Sequence, residues 1–296
     1  MECFLESVIQ NFLISLAVGT LGRFYLLRVD YRQYPSYPRG VIMHLAFGVI
    51  AASLGSIALP ALLAKDYAAV TFLALAAEQF RSIRGIEREN LSNIEELEIV
   101  KRGSSYIEEI AKIFEARNYI VVLASLSTSA ALHIFKRDIA FLFGVIVLVI
   151  LKSAMKGQKI NDIANVRIAT VKFKNALLYV DNINIMNVGL TDIKEKILKN
   201  AVGVILEPKD ENASIAMSNM GQRQAIIHDV VAQLGIKKDV DEPEFTPLAR
   251  RDMETGNIGI VFYPSIQDKQ ALIKAIEKSP VLESTARKPS ESKVNY

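Results

Sequence analysis

The chain has 296 residues, of which 51% are hydrophobic and 23% are charged, and its mean hydropathy is +0.24. The hydropathy is high for a soluble protein whereas the charged fraction is ordinary, so the two halves of the chain must differ. A formal net charge of +3 is too small to indicate nucleic-acid binding, and the single cysteine, Cys3, excludes both an intramolecular disulfide and a thiolate metal site.

Apolar stretches in the first half predict membrane spans. Residues 40 to 64 contain His44 as their only ionisable side chain, and a bilayer core needs roughly 20 apolar residues. Between residues 119 and 155 two apolar runs are separated only by three charged residues, which a single helix would hold at mid-bilayer at about 2.5 to 3.5 kcal/mol each. The pattern therefore predicts a membrane domain over residues 1–156, with five spans at about 5–27, 41–64, 67–80, 119–135 and 139–155.

The positions of the basic residues indicate the orientation of these spans. Lysines and arginines near span ends stay on the cytoplasmic side, and five spans put nearly all unpaired ones on one side. The N-terminus is then outside the cell membrane and residues 157–296 are cytoplasmic. The lipid bilayer is therefore an expected partner.

Two polar groups in this half are candidates for chemistry. Ser129 and His133 lie one helical turn apart in the fourth predicted span, where a serine and a base can meet, although serines in membrane helices usually pack or satisfy backbone carbonyls. The cytoplasmic connector at 81–118 is charged and helical in pattern, which indicates either a solvated hairpin or a polar site at the membrane edge. The residues of that candidate edge site are Glu78, Gln79, Arg81, Arg84 and Glu108, and Glu78 is also a weak catalytic candidate.

From residue 157 the pattern changes. Strand-like runs at 166–173, 177–180, 201–208 and 258–264 alternate with helical runs at 190–200, 214–235 and 269–278. This alternation predicts a small cytoplasmic α/β or α+β domain over 157–282. The tail at 283–296 has no apolar period, and we expect it to be disordered.

The densest group of charges in this domain lies at 241–252. An arginine pair there can bind an anionic ligand through forked donors, or the mixed charges can contact a cytosolic protein partner. A rigid surface loop with local ion pairs is the alternative. The candidate binding residues, with one more arginine on the 214–235 helix, are Arg223, Asp241, Glu242, Glu244, Arg250, Arg251 and Asp252.

Several kinds of site are not indicated. His228 is a lone histidine in the second half, and a lone histidine is more often structural than catalytic or metal-binding. The sequence contains no Walker motif, no glycine-rich dinucleotide loop and no nucleophile elbow. We therefore expect no metal, no cofactor and no nucleic-acid partner.

The stretch YIEEIA at 106–111 resembles the segment after which the YIEGIA family of endospore-forming Firmicutes is named. The segments AEQFRSIRGIERE, NVGL, EPKD, GQRQAIIHD and DEPEFTPLARRD are also similar to that family, so the resemblance reaches to about residue 283. Glu109 stands where the family name has glycine. The resemblance implies a multi-pass membrane protein of sporulating bacteria, with a link to regulated membrane proteolysis and cyclic-dinucleotide control.

Three functional hypotheses follow. The first is a membrane regulator or scaffold of sporulation, whose cytoplasmic domain binds a protein partner or a small anionic ligand. The second is a membrane-embedded protease under control of a cytosolic signal such as a cyclic dinucleotide. A transporter is disfavoured, because the predicted spans hold few charges and no internal repeat.

Overall fold

The computed structural model of the protein describes residues 2–30, 38–96, 98–154, 157–240 and 242–285. The chain divides into two compact units. Unit 1 comprises Met1–Glu89 and Ile110–Lys156, and unit 2 comprises Asn90–Glu109 and Gly157–Tyr296. Asp241 and residues 286–296, which cover most of the predicted disordered tail, lie outside the described residues.

Unit 1 is helical in its described part. Its helices are α1 (Glu2–Asp30), α2 (Pro38–Leu63), α3 (Tyr67–Arg81), the start of α4 (Ile83–Glu95), most of α5 (Ser104–Ile134) and α6 (Arg137–Ala154). Glycines allow these helices to approach closely: a Cβ at Gly48 would lie 2.3 Å from the Arg23 side chain, and one at Gly55 would lie 2.3 Å from the carbonyl oxygen of Val122. Small residues are therefore what brings α2 against α1 and α5.

The predicted five-span membrane domain is wrong. Among the described residues one helix, over Gly40–Leu63, is long and apolar enough to cross a membrane by length and composition. α3 has only 15 residues, and the 18 residues of α6 include Arg137, Asp138 and Lys152. The fourth predicted span is the end of α5, a helix of 31 residues whose first half is charged. Apolar runs thus form helices here without each being a span.

Many large apolar side chains of unit 1 are nevertheless exposed. On α6 Leu142 is 59% exposed and Ile150 60%, and on α3 Phe72 is 69% exposed. Surfaces of this kind are rare on soluble monomers and mark contact with a partner or with lipid.

Unit 2 combines helices with antiparallel sheets. Its helices after residue 157 are α7 (Ile160–Ile163), α8 (Thr191–Asn200), α9 (Glu211–Ser218), α10 (Met220–Leu234) and α11 (Lys269–Lys278). Its strands are β1 (Ala164–Ala169), β2 (Val171–Lys174), β3 (Leu177–Val180), β4 (Ile183–Asn187), β5 (Val202–Pro208), β6 (Lys238–Asp239), β7 (Glu242–Pro243), β8 (Leu248–Arg251) and β9 (Ile258–Phe262).

The main sheet has the order β1-β5-β9-β8, with every neighbouring pair antiparallel. The central strands are buried on both faces, which explains their continuous apolar runs. Val204 and Leu206 of β5 face a core with α10 and α11, whereas Ile205 faces the β2-β3-β4 meander. The sheet is therefore the middle of three layers, and unit 2 has an α+β arrangement.

The two ends of this described α+β region meet. Lys159 and Pro280 form an antiparallel bridge, and Ile160 N donates to Ser279 O at 3.0 Å while Val281 N donates to Gln158 O at 2.9 Å. Gln222 of α10 adds a side-chain contact, because its Oε1 accepts from Leu282 N at 2.7 Å.

The close approach at Gly55 is testable. Gly55→Ala places a methyl group against the backbone of α5, which cannot rotate away, and we expect a loss of about 1 to 3 kcal/mol in the free energy of unfolding. Gly85→Ala on α4 is the matched control, since a Cβ there has nothing within 4 Å and should stabilise the helix by about 0.5 to 1 kcal/mol. Thermal unfolding of the full chain in detergent should show a lower Tm for Gly55→Ala than for the wild type, and no decrease for Gly85→Ala.

Candidate functional site

Residues 98–106 pack over α10. They belong to unit 2 but lie outside the domain predicted at 157–282. We call the contact between residues 98–106 and α10 the clasp. His228 of α10 lies at its centre and uses both ring nitrogens. Its Nδ1 donates to Val100 O at 2.8 Å, and its Nε2 accepts from Arg102 Nε at 3.1 Å. Since arginine has no acceptor, this geometry requires the neutral imidazole with its proton on Nδ1.

Three further contacts complete the clasp. Tyr106 OH donates to Asp229 Oδ1 at 2.8 Å, and Gln224 Nε2 donates to Lys101 O. Arg102 pairs with Glu98 at 2.6 Å. Tyr106 belongs to the YIEEIA stretch and Asp229 to GQRQAIIHD, so the clasp joins two of the segments that carry the family resemblance.

Burial dominates the electrostatics of the clasp. It lowers the pKa of His228 to about 4 and raises the pKa of Asp229 to about 6. It also raises the pKa of Glu98 and places that of Tyr106 well above its usual value. Each shift has this direction because burial disfavours the charged form of the group. The tyrosine remains a hydrogen-bond donor at neutral pH.

Local sequence explains how α10 presents these groups. Asn219 interrupts the helix predicted over 214–235, and its side chain caps α10 by accepting from Gly221 N at 2.8 Å. Ile226, Val230 and Leu234 recur every four residues and enter the core. The polar residues between them are left to meet the 98–106 segment.

A second group in unit 2 contains arginines. Arg251 Nη2 donates to Ser214 Oγ of α9 at 3.2 Å, and its Nε is enclosed without a hydrogen-bond acceptor among the described atoms. Burial and the charge of Arg251 lower the pKa of Arg223 on α10. Gly256, with φ of 74°, lies against Ser214, and a Cβ there would approach its Oγ to 2.8 Å.

The predicted arginine pair at 250 and 251 does not form. These residues lie on a strand, β8, and adjacent strand residues point to opposite faces of the sheet. Arg250 Nη1 accordingly donates to Ile185 O, at 3.4 Å, on the meander side. Asp252 accepts from Thr255 Oγ1 at 2.6 Å within its own turn. Glu244 pairs with Lys196 at 3.1 Å, and Glu242 is exposed on β7.

The structure also separates the residues predicted in the first half. Ser129 Oγ donates to Ser56 O at 3.2 Å, whereas His133 is exposed, so they form no nucleophile and base pair. Arg84 lies 3.9 Å from Glu115. Glu78 and Arg81 are exposed and Glu108 is half-buried. Gln79 lies in α3, but its side chain is outside the described part of the structure.

Unit 1 contains a buried polar cluster that the sequence analysis missed. Arg23, which is 0% exposed, donates from Nη2 to His44 Nδ1 at 3.1 Å. The His44 Nε2 lies 4.0 Å from Glu87, and the ring of Phe114 lies 4.5 Å from that of His44. The contacts compensate for the burial of a guanidinium group inside a helical unit. Within the described residues no three His, Cys, Asp or Glu side chains are placed to hold a metal ion.

Glu109, which stands for the glycine of the family name, is 8% exposed. Its Oε2 accepts from Glu283 N at 3.0 Å. The side chain thus holds the end of the described chain.

Fold and site together define a protein of two units, one helical and one α+β, in which residues 98–106 are clasped on α10. The chain belongs to the YIEGIA family: the YIEGIA protein pattern matches residues 11–292, which confirms the predicted family. It is 40% identical over 287 residues to a protein of Bacillus subtilis (strain 168) described as uncharacterized protein YphB, covering 97% of each chain. No solved structure matches the chain.

The opposed shifts of His228 and Asp229 make a prediction about pH. A histidine whose folded pKa of about 4 lies below its unfolded value of 6.5 contributes stability above pH 6.5 that is lost as the pH falls towards 4. Asp229 does the opposite, losing stability as the pH rises from 3.8 through about 6. The two offset each other in the wild type between these limits.

Asp229→Asn keeps an acceptor for Tyr106 and removes the titration at this position. We expect the variant to be more stable than the wild type at pH 8, and its stability to fall more steeply on acidification below pH 6.5. Hydrogen exchange of the α10 amides, corrected for intrinsic rates, measures this in the full chain. Parallel pH profiles for the two proteins would show that Asp229 does not oppose His228.

Proposed function

We propose that this protein is a membrane-associated regulator or scaffold whose unit 2 faces the cytoplasm and binds a cytosolic protein or a small anionic ligand. The observation that carries the proposal is the clasp. Helices α4 and α5 each contribute residues to both units, and the segment between them is the one held on α10. A ligand that changes the clasp therefore acts on the chain that leads directly into these two helices.

The chemistry of the clasp supports binding rather than catalysis. The neutral His228 has no free ring nitrogen, since one donates to Val100 and the other accepts from Arg102. The Tyr106 hydroxyl is directed at a carboxylate and not at an open cleft. Groups that are fully engaged with one another hold a conformation, whereas a general base needs a free position next to its substrate.

Membrane association is supported by the apolar helix Gly40–Leu63 and by the exposed apolar side chains of α3 and α6. The family resemblance implies an endospore-forming host, so sporulating cells are the setting in which we propose that the regulator acts.

A charge placed in α2 tests the membrane association. Ile50 is 49% exposed near the middle of the apolar helix, and a lysine there costs about 2.5 to 3.5 kcal/mol in hydrocarbon. We expect Ile50→Lys to move the protein out of the membrane fraction or to reduce its level. Leu62→Lys near the helix end is the control, because a lysine there can extend its amine to the interface. Equal recovery of both variants in membranes would contradict lipid contact at Ile50.

Tyr106→Phe tests the role of the clasp. The change removes the hydrogen bond to the buried Asp229 carboxyl group and keeps the ring, so we expect a stability loss of about 1 to 3 kcal/mol. A regulator whose signal passes through the clasp should still lose its effect in sporulating cells while its protein level and membrane recovery stay normal. Tyr119→Phe is the control, since Tyr119 lies on the same helix in unit 1. Full function of Tyr106→Phe would contradict the proposal.

Proteomes of sporulating cells with and without the gene separate a regulator from a protease. A regulator leaves partner proteins at full length in both strains. Full-length substrates that accumulate in the deletion strain, together with the disappearance of shortened fragments, would show proteolysis and contradict the non-enzymatic proposal.

A further inference from the structure

Arg223 and Arg251 come together from different elements of unit 2, α10 and β8. α10 packs against both β8 and α9, and Arg251 of β8 contacts Ser214 of α9; in this arrangement the charge of Arg251 contributes to the lowered pKa of Arg223. Neither makes an ion pair with a carboxylate within the described residues, and the hydrogen bond of Arg251 goes to the neutral hydroxyl of Ser214. Two partly buried guanidinium groups side by side repel each other, so a bound anion between them would stabilise the arrangement.

A tight turn lies beside Arg251 and Ser214. The backbone carbonyl oxygen of Asp252 accepts a hydrogen bond from Gly256 N at 3.0 Å and closes this turn. Gly256 has φ of 74°, which favours glycine, and its missing Cβ leaves the turn close to Ser214. The turn is thus held next to Arg251 and Ser214 by its own hydrogen bonds.

Apolar side chains stand beside these charges. Met220 is 76% exposed and lies one helical turn before Arg223 on the same face of α10. Met253 is 81% exposed in the turn that follows Arg251, and Ile215, next to Ser214, is 37% exposed. Methionine adapts its shape to varied apolar partners. Positive charge with flexible apolar neighbours fits an anion that carries an apolar body.

We propose that Arg223, Arg251 and Ser214 bind the phosphate group of a ligand whose remaining part is apolar and contacts Met220 and Met253. A phosphate monoester carries about −1.5 to −2 charges at neutral pH, which two arginines match better than the single charge of a carboxylate. The same chemistry is offered by a soluble phosphate ester and by a phospholipid head group. This names the ligand of the binding module and therefore rests on the proposed function.

Equilibrium binding to the full chain in neutral detergent tests the site. The probes are phenyl phosphate, benzoate, inorganic phosphate and a water-soluble phosphatidic acid with two hexanoyl chains. We expect phenyl phosphate to bind more tightly than either benzoate or inorganic phosphate. Tighter binding of the phosphatidic acid would identify the lipid as the source, and tighter binding of phenyl phosphate the soluble ester; both outcomes support the site.

Variants locate the binding. Arg251→Gln and Arg223→Gln should each weaken the binding of phenyl phosphate by about 10-fold or more, the usual effect of losing a charge-assisted hydrogen bond. Arg250→Gln is the matched control, because it lies on the same strand but contacts Ile185 O on the opposite face. Met253→Gln, an exposed change that folding tolerates, should weaken phenyl phosphate and leave inorganic phosphate unchanged.

The proposal is overturned if none of the phosphate probes binds, if Arg250→Gln has as large an effect as Arg251→Gln, or if benzoate binds as tightly as phenyl phosphate. Failure here is distinguishable from failure of the proposed function. If Tyr106→Phe is inactive in cells but no phosphate probe binds, the protein is a regulator that binds a protein partner. If Tyr106→Phe has full function, the proposal that the protein is a regulator acting through the clasp is contradicted.

Discussion

The fold of residues 98–106 depends on where one proton sits. The side chain of Arg102 has hydrogen-bond donors and no acceptor, so the His228 nitrogen that faces it must be an acceptor. That fixes the ring proton on Nδ1, where it donates to Val100 O. A protonated imidazole would oppose an N–H to the guanidinium and lose the contact with Arg102. The neutral form that burial favours is thus the form that the backbone of this segment requires.

α10 links this constraint to the rest of unit 2. Its apolar side chains pack against the sheet, its first residues include Arg223, and its later polar residues hold the 98–106 segment. The regular hydrogen-bonded backbone of a helix fixes the spacing between these groups along its axis, at about 1.5 Å per residue. Arg223 and the clasp residues His228 and Asp229 therefore lie on one helix, although they contact different parts of unit 2.

The secondary structure of the second half was largely predictable, because its strands and helices have short, clear patterns. The runs at 201–208 and 258–264 are β5 and β9, and the helices α8 and α11 lie where helical periodicity placed them.

The spans were not predictable, since hydropathy does not distinguish a helix packed in a bundle from one in lipid. The pairing of Arg250 with Arg251 is wrong for a simpler reason: a loop was expected at 241–252, whereas the strand β8 sends these two side chains to opposite faces. His228 gave no signal as a lone histidine. Its partners lie more than 100 positions away in sequence, and only the co-occurrence of the two family segments hinted at them.

The antiparallel contact between Lys159 and Pro280 places the entrance and the exit of the α+β region side by side. A chain closed in this way behaves as an inserted module: its interior can be exchanged or loosened without moving the point at which the polypeptide arrives. Gln222 and Glu109 hold residues 282 and 283, which follow that bridge, through hydrogen bonds to their backbone N–H groups. The chain therefore enters the α+β region at residue 159 and reaches residue 280 at the same place on unit 2.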